Sequence, residues 1–179
     1  MAAPTVRFAT PADLPAIAAL HAEATADMTR FVPPGFGQTF LETAHDAHEA
    51  KLMFSGKIAQ EDGFLLVAEL TADGNAHADR GTRLAGFLVA HIEEYGDDLL
   101  SAPFLTIEDV VVARPRVLGV GAALIVAAED IACQRGITQI DLLVWAANAP
   151  ARALYEKLGY GVLEERRGKR LAPATGSKL

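Results

Sequence analysis

The apolar positions of the 179-residue chain switch between two periods, and the switches predict its elements. Val6-Arg7-Phe8 alternates as a short strand does. Thr10-Pro11-Ala12-Asp13 then offers a capping hydroxyl, a proline at the first helical position and an acid at the third, which starts a helix. Leu14, Ile17, Ala18 and His21 continue it along one face, with His21 at the face edge. Val32-Pro33-Pro34-Gly35-Phe36-Gly37 stops it in a loop, and Phe40, Leu41, Ala44 and Leu52 predict a second helix. Phe64 to Leu70, Leu84 to Glu94 and Phe104 to Val112 are apolar runs of strand length, separated by the turn-forming stretches Thr71 to Arg83 and Gly96 to Pro103. Three strands in succession with no helix between them pair antiparallel.

Helical period returns from Gly119 to Gln134 with Leu124, Ile125, Ala128, Ile131 and Ala132, and Gly136 takes the position of a C-terminal cap. Ile137 to Val144 follows as a strand. Strand, helix, strand requires a right-handed crossover, so the strands around Val110 and Leu142 are expected to run parallel as neighbours or near-neighbours. A last helix, Ala149 to Leu158, ends at Gly159, and Tyr160 to Glu165 is expected to return as a strand before a charged tail from Arg166 to Leu179. The expected fold class is α/β: a mixed, mostly antiparallel central sheet of six or seven strands with helices on both faces. Residues 1–179 read as one domain, without repeats or a linker.

Composition narrows the classes. Apolar residues make up 51% of the chain and charged residues 22%, enough for a core and too apolar for disorder. No apolar stretch reaches the ~20 residues of a membrane helix and the N-terminus carries no basic-then-apolar signal, so no membrane and a cytoplasmic location are expected. A net charge of −7 speaks against a nucleic-acid partner and mildly favours cationic substrates. The single cysteine, Cys133, excludes a disulfide or CxxC pair and reads as a buried thiol beside Ala132. His45, Asp46, His48 and Glu49 crowd the second helix, but two histidines three apart lack the HExxH spacing, so the polar face is read as solvated and no metal is expected. Ser177-Lys178-Leu179 matches a peroxisomal address and is read as chance.

The chemistry concentrates in Val110-Val111-Val112-Ala113-Arg114-Pro115-Arg116-Val117-Leu118-Gly119-Val120-Gly121, an apolar strand leading through a basic turn to a glycine-flanked helix start. Free N–H groups at a helix start can cradle a pyrophosphate, glycines let it approach, and Arg116 adds positive charge. A dinucleotide fold would need GxGxxG or GxGxxA, but Leu124 holds the last position; a triphosphate loop would need GKS or GKT, which is absent. A coenzyme A site is the third option. A second block favours it: Asn148-Ala149-Pro150-Ala151-Arg152-Ala153-Leu154-Tyr155-Glu156-Lys157-Leu158-Gly159-Tyr160. Arg116-x-x-Gly119-x-Gly121 resembles the pyrophosphate signature of the GNAT superfamily of N-acetyltransferases, and Asn148-x-x-Ala151-x-x-Leu154-Tyr155-x-Lys157-x-Gly159-Tyr160 resembles that family's second motif.

The resemblance implies a V-shaped opening between the two central strands, a cofactor half at about 104–165 and acceptor-side elements at about 10–60 and 95–103. Acetyl-coenzyme A (acetyl-CoA) would be the acyl donor, its pantetheine arm pairing with the main chain of Val110, Val111 and Val112 where a bulge splays the strand. Its pyrophosphate would meet Arg116, Val117, Leu118, Gly119, Val120, Gly121 and Ala122, and Asn148 would steady the arm. Tyr155 would lie near the sulfur and protonate the departing thiolate, a transfer only modestly uphill from a phenol of pKa ~10 to a thiol of ~8.5. Glu108 is the first candidate base, with His91, Glu93 and Glu94 in reserve; in a regular strand its neighbour Asp109 would point to the opposite face. The turn from Val112 to Arg116 is a residue shorter than the commonest family spacing. The implied activity is direct acetyl transfer to a primary amine, a small molecule or a peptide, by a protein that could be a homodimer. Two alternatives stand beside it: acetylation of a protein N-terminus or lysine, and a sensor that binds acyl-CoA without turnover.

Overall fold

A computed structural model describes residues 3–34, 54–58, 62–70, 83–93 and 102–169. In chain order these carry β1 (Thr5–Phe8), a 3-10 turn (Pro11–Asp13), α1 (Leu14–Met28), a second 3-10 turn (Thr29–Phe31), a helical segment at 54–58, β2 (Gly63–Leu70), β3 (Arg83–Glu93), β4 (Phe104–Val112), α2 (Val120–Gln134), β5 (Ile140–Leu142) and α3 (Ala149–Lys157). The five strands of the described residues form one sheet in the order β1-β2-β3-β4-β5, antiparallel throughout except for the parallel pair β4 and β5.

Helices cover both faces. Against one, α2 lays Val120, Leu124, Ile125, Ala128 and Ala132 on Phe64, Leu66, Leu88, Leu105 and Ile107. Against the other, Leu14, Ile17 and Ala18 of α1 and Phe54 of the short segment meet Leu65, Val67, Phe87, Val89 and Val111. The alternation of β2 explains the division, because even and odd positions of a strand point to opposite faces and both are apolar. The start of α1 follows from its sequence: Asp13 accepts from Thr10 N at 2.8 Å and Thr10 Oγ1 at 2.9 Å. Arg7 of β1 then clamps Asp13 through both terminal nitrogens, each at 2.9 Å, and reaches Glu69 of β2 through Nε at 3.0 Å. That pairing holds the Asp13 carboxyl well below its usual range.

Several expectations need correction. Tyr160 to Glu165 is not a strand: residues 160–169 have no regular structure, and Val162 and Leu163 are exposed. Ile137 to Val144 shrinks to Ile140–Leu142, and the sheet has five strands among the described residues instead of six or seven. Cys133 is exposed, since one residue's step of about 100° carries it off the face that buries Ala132. The second helix with His45, Asp46, His48 and Glu49, and the residue Glu94, lie outside the described residues. No described helix is long and apolar enough to cross a membrane.

Candidate active site

The site begins where β4 leaves β5. Their parallel ladder consists of Leu105↔Ile140, Thr106↔Asp141 and Ile107↔Leu142, and ends there. On its other edge β4 stays paired to β3, but the register slips between Val89↔Asp109 and Ala90↔Ile107, leaving Glu108 as the extra residue of a bulge. A bulge bends its strand and increases the local twist. Residues 108–112 therefore keep β3 on one side and have no strand on the other among the described residues, which leaves alternate N–H and C=O groups of Val110, Val111 and Val112 available to an extended, amide-bearing ligand.

The helix after this opened strand starts as an anion site would. Gly119 takes φ 91°, a left-handed conformation that favours glycine, and a Cβ there would meet nothing within 4 Å. No side chain caps α2, and the ladder's first bond from this end runs from Ala123 N to Gly119 O at 2.9 Å. The amides of Val120, Gly121 and Ala122 precede it, aligned with the positive end of the helix dipole and followed by no competing carboxylate in the first turn. Arg116 and Leu118 are exposed beside them, and Val117 is half-buried against the core. These residues fit a pyrophosphate.

Gly121 works differently from the sequence expectation of an open approach. It is buried, and a Cβ there would lie 3.2 Å from Leu154 Cδ2 and 3.6 Å from Val112 Cγ2, so its smallness lets α2 pack against α3 and β4. Asn148 is the N-cap of α3, its Oδ1 accepting from Ala151 N at 3.4 Å. In that place it orients the helix that carries Tyr155. The Tyr155 ring is half-buried, 6.0 Å from the ring of Tyr160, and its phenol is pushed above its usual pKa by burial and then by the charge of Asp109. It keeps its proton at neutral pH.

The bulge has a second effect. Leu105 and Ile107 belong to the core under α2, and so do Val110 and Val112, so the alternation of β4 inverts between them. Glu108 and Asp109 consequently both turn to the α1 side instead of to opposite faces. There Glu108 Oε1 accepts from Lys57 Nζ at 2.6 Å and lies 3.0 Å from His91 Nδ1, without the angle of a hydrogen bond. His91 Nε2 is 2.7 Å from Glu93 Oε1. The candidate base and two of its three reserves thus form one chain of contacts.

Burial raises the Asp109 carboxyl above its usual range, Glu108 adding to the shift and His21 and Lys57 opposing it. A carboxyl raised in the folded state stabilises the fold below the unfolded value of 3.8, and that contribution is lost as pH rises through the folded pKa. Asp109→Asn is therefore expected to raise the urea midpoint at pH 7 and to leave it near wild type at pH 3. An unchanged midpoint at pH 7 would show that the carboxylate is fully compensated.

Sequence reasoning missed two residues of this region. Lys57 carried no signal, because nothing in its local pattern tells which strand the segment crosses. Gly86 carried one: a glycine inside an apolar strand marks a close backbone approach. A Cβ there would lie 2.5 Å from Val111 O and 3.1 Å from Val120 Cγ1.

The sequence model of the Acetyltransferase (GNAT) family matches residues 28–160, and the chain belongs to that family. Solved structures share the fold. A point mutant of the BH1408 protein from Bacillus halodurans superposes with a TM-score of 0.73 at 19% identity, over 94% of this chain and 99% of the other. The aminoglycoside N-acetyltransferase AAC(6')-Iy in complex with CoA gives 0.66 at 18% identity, over 94% of each chain. An aminoglycoside acetyltransferase, HMB0005, from an uncultured soil metagenomic sample gives 0.62 at 21% identity, over 97% of this chain and 100% of the other. No curated protein matches the sequence.

Proposed function

We propose that the protein transfers the acetyl group of acetyl-CoA directly to a primary amine, a small molecule in preference to a protein N-terminus or lysine. The observation that carries this reading is the parting of β4 and β5 at the Glu108 bulge, next to the uncapped start of α2. The opened edge of β4 suits the amides of a pantetheine arm, and the helix start with Arg116 suits its pyrophosphate. Acetyl-CoA when bound supplies the activated acyl carbon. The protein supplies the rest: an N–H of the opened strand to face the thioester oxygen, Glu108 to accept a proton from the amine, and Tyr155 to give one to the leaving sulfur. Glu93, Glu108 and Asp109 lie near one another on the acceptor side and attract an ammonium group, in keeping with the net charge of −7.

Acetyl-CoA at about one hundred times its Kd is expected to stabilise the fold by ~2.7 kcal/mol, and so to raise Tm by roughly 5–10 °C for a chain of this size. NADH is expected to give no such shift. A flat melting response together with no heat of binding in calorimetry overturns the reading. A screen of antibiotics, polyamines, amino acids and peptides as acceptors then separates an enzyme from a sensor that only binds.

A further inference from the structure

Lys57 reaches the candidate base from the short helical segment at 54–58. Phe54 anchors that segment: it is 1% exposed, and its ring meets Phe87 edge-on at 5.5 Å and His21 at 5.2 Å. One helical turn on, Lys57 carries its Nζ to 2.6 Å from Glu108 Oε1, the same oxygen that faces His91. The Lys57 side chain is 21% exposed and that of Glu108 32%, so the amine is partly shielded where it meets the carboxylate. An anchored primary amine thus occupies the contact that an acceptor amine would make with the base.

Resting on the reading of Glu108 as that base, we propose that Lys57 is itself an acetyl acceptor, modified in cis by the site it enters. Glu108 removes a proton from the Lys57 ammonium, and the freed lone pair of Nζ attacks the thioester carbonyl carbon. An N–C bond forms and the C–S bond breaks with its electron pair on sulfur, which takes the proton of Tyr155. The second proton lost from Nζ restores Tyr155 through solvent, so no oxidant or reductant is needed. Glu108 gives the proton it took to solvent, and the product is a neutral amide, which no longer pairs with Glu108 as a cation and leaves that carboxylate to an outside amine.

The test is a time course of the whole protein with acetyl-CoA and no added amine, mapped by peptide mass spectrometry. Lys57 is expected to gain one acetyl group at least tenfold faster than Lys157 and Lys169, which are exposed, at a rate independent of protein concentration. Glu108→Gln is expected to slow the labelling of Lys57 by ~10²-fold or more and to leave the slow labelling of the other lysines unchanged. Lys57→Arg, which keeps the positive charge, is expected to remove the fast event. Labelling of Lys57 no faster than Lys157, in a sample that still acetylates an added amine, overturns the proposal and leaves the proposed function standing. Absence of both, with no heat of acetyl-CoA binding, overturns the two together.

Discussion

Tyr155→Phe is expected to lower turnover by ~10²–10⁴-fold at saturating acetyl-CoA while changing the donor's Kd by less than about tenfold. The phenyl ring keeps the packing against Tyr160 and the core under α2, so the variant removes the hydroxyl and little else. A neutral hydrogen bond is worth about 1 kcal/mol, whereas a positioned acid contributes several times that to the transition state, and the difference in size separates the two roles. The pKa of the phenol, raised above its usual value by burial and then by the charge of Asp109, bears on the pH profile: the ionisation of Tyr155 is expected to leave the rate flat between pH 7 and 9. Near-normal turnover of Tyr155→Phe, measured where chemistry limits the rate, would make solvent the proton donor and Tyr155 a packing residue.

Gly86→Ala is expected to cost about 3 kcal/mol, the upper end of what overpacking costs, and to lower Tm by roughly 6–12 °C. The added Cβ would lie 2.5 Å from Val111 O, a backbone atom that cannot turn aside, and 3.1 Å from Val120 Cγ1. Relief requires β3 to move from β4 and α2 together, and Ala113 N would lose its 2.8 Å bond to Ala85 O next door. Gly121→Ala is the contrast. Its Cβ meets the end of a flexible side chain, Leu154, at 3.2 Å, and a small shift accommodates it. Equal melting temperatures for the two variants would show that β3 yields at Gly86 without strain.

The two glycines at the start of α2 mark the boundary of what the sequence could convey. Gly119 and Gly121 both stand in a motif, and the motif located the helix start correctly, but it did not distinguish a glycine chosen for its left-handed backbone from one chosen for its missing side chain. The boundaries of β4 were readable to the residue because a mostly apolar stretch of nine lies between Pro103 on one side and a basic turn on the other. The bulge inside it was not readable, since Glu108 and Asp109 are two polar residues in sequence and nothing local says which of them is extra. Their common face is a property of the pairing with β3. In the stretch Tyr160 to Glu165, expected as a strand, Tyr160 packs against the core under α2, but Val162 and Leu163 are exposed and the segment pairs with no strand among the described residues. Local pattern proposes a strand, and pairing decides it.

The three-pair ladder between β4 and β5 is the sheet's thinnest seam, and it sets how the molecule breathes. Eight register pairs hold β3 to each of β2 and β4 and four hold β1 to β2, so the segment β5–α3 is joined to the sheet by the shortest ladder among the described strands. In hydrogen exchange the amides of β5 are expected to open together at a lower free energy than those of β3, as a separate cooperative unit. A donor lying along the parted edges would bridge that unit to the rest of the sheet, and its binding would be felt as slowed exchange on both sides of the seam at once.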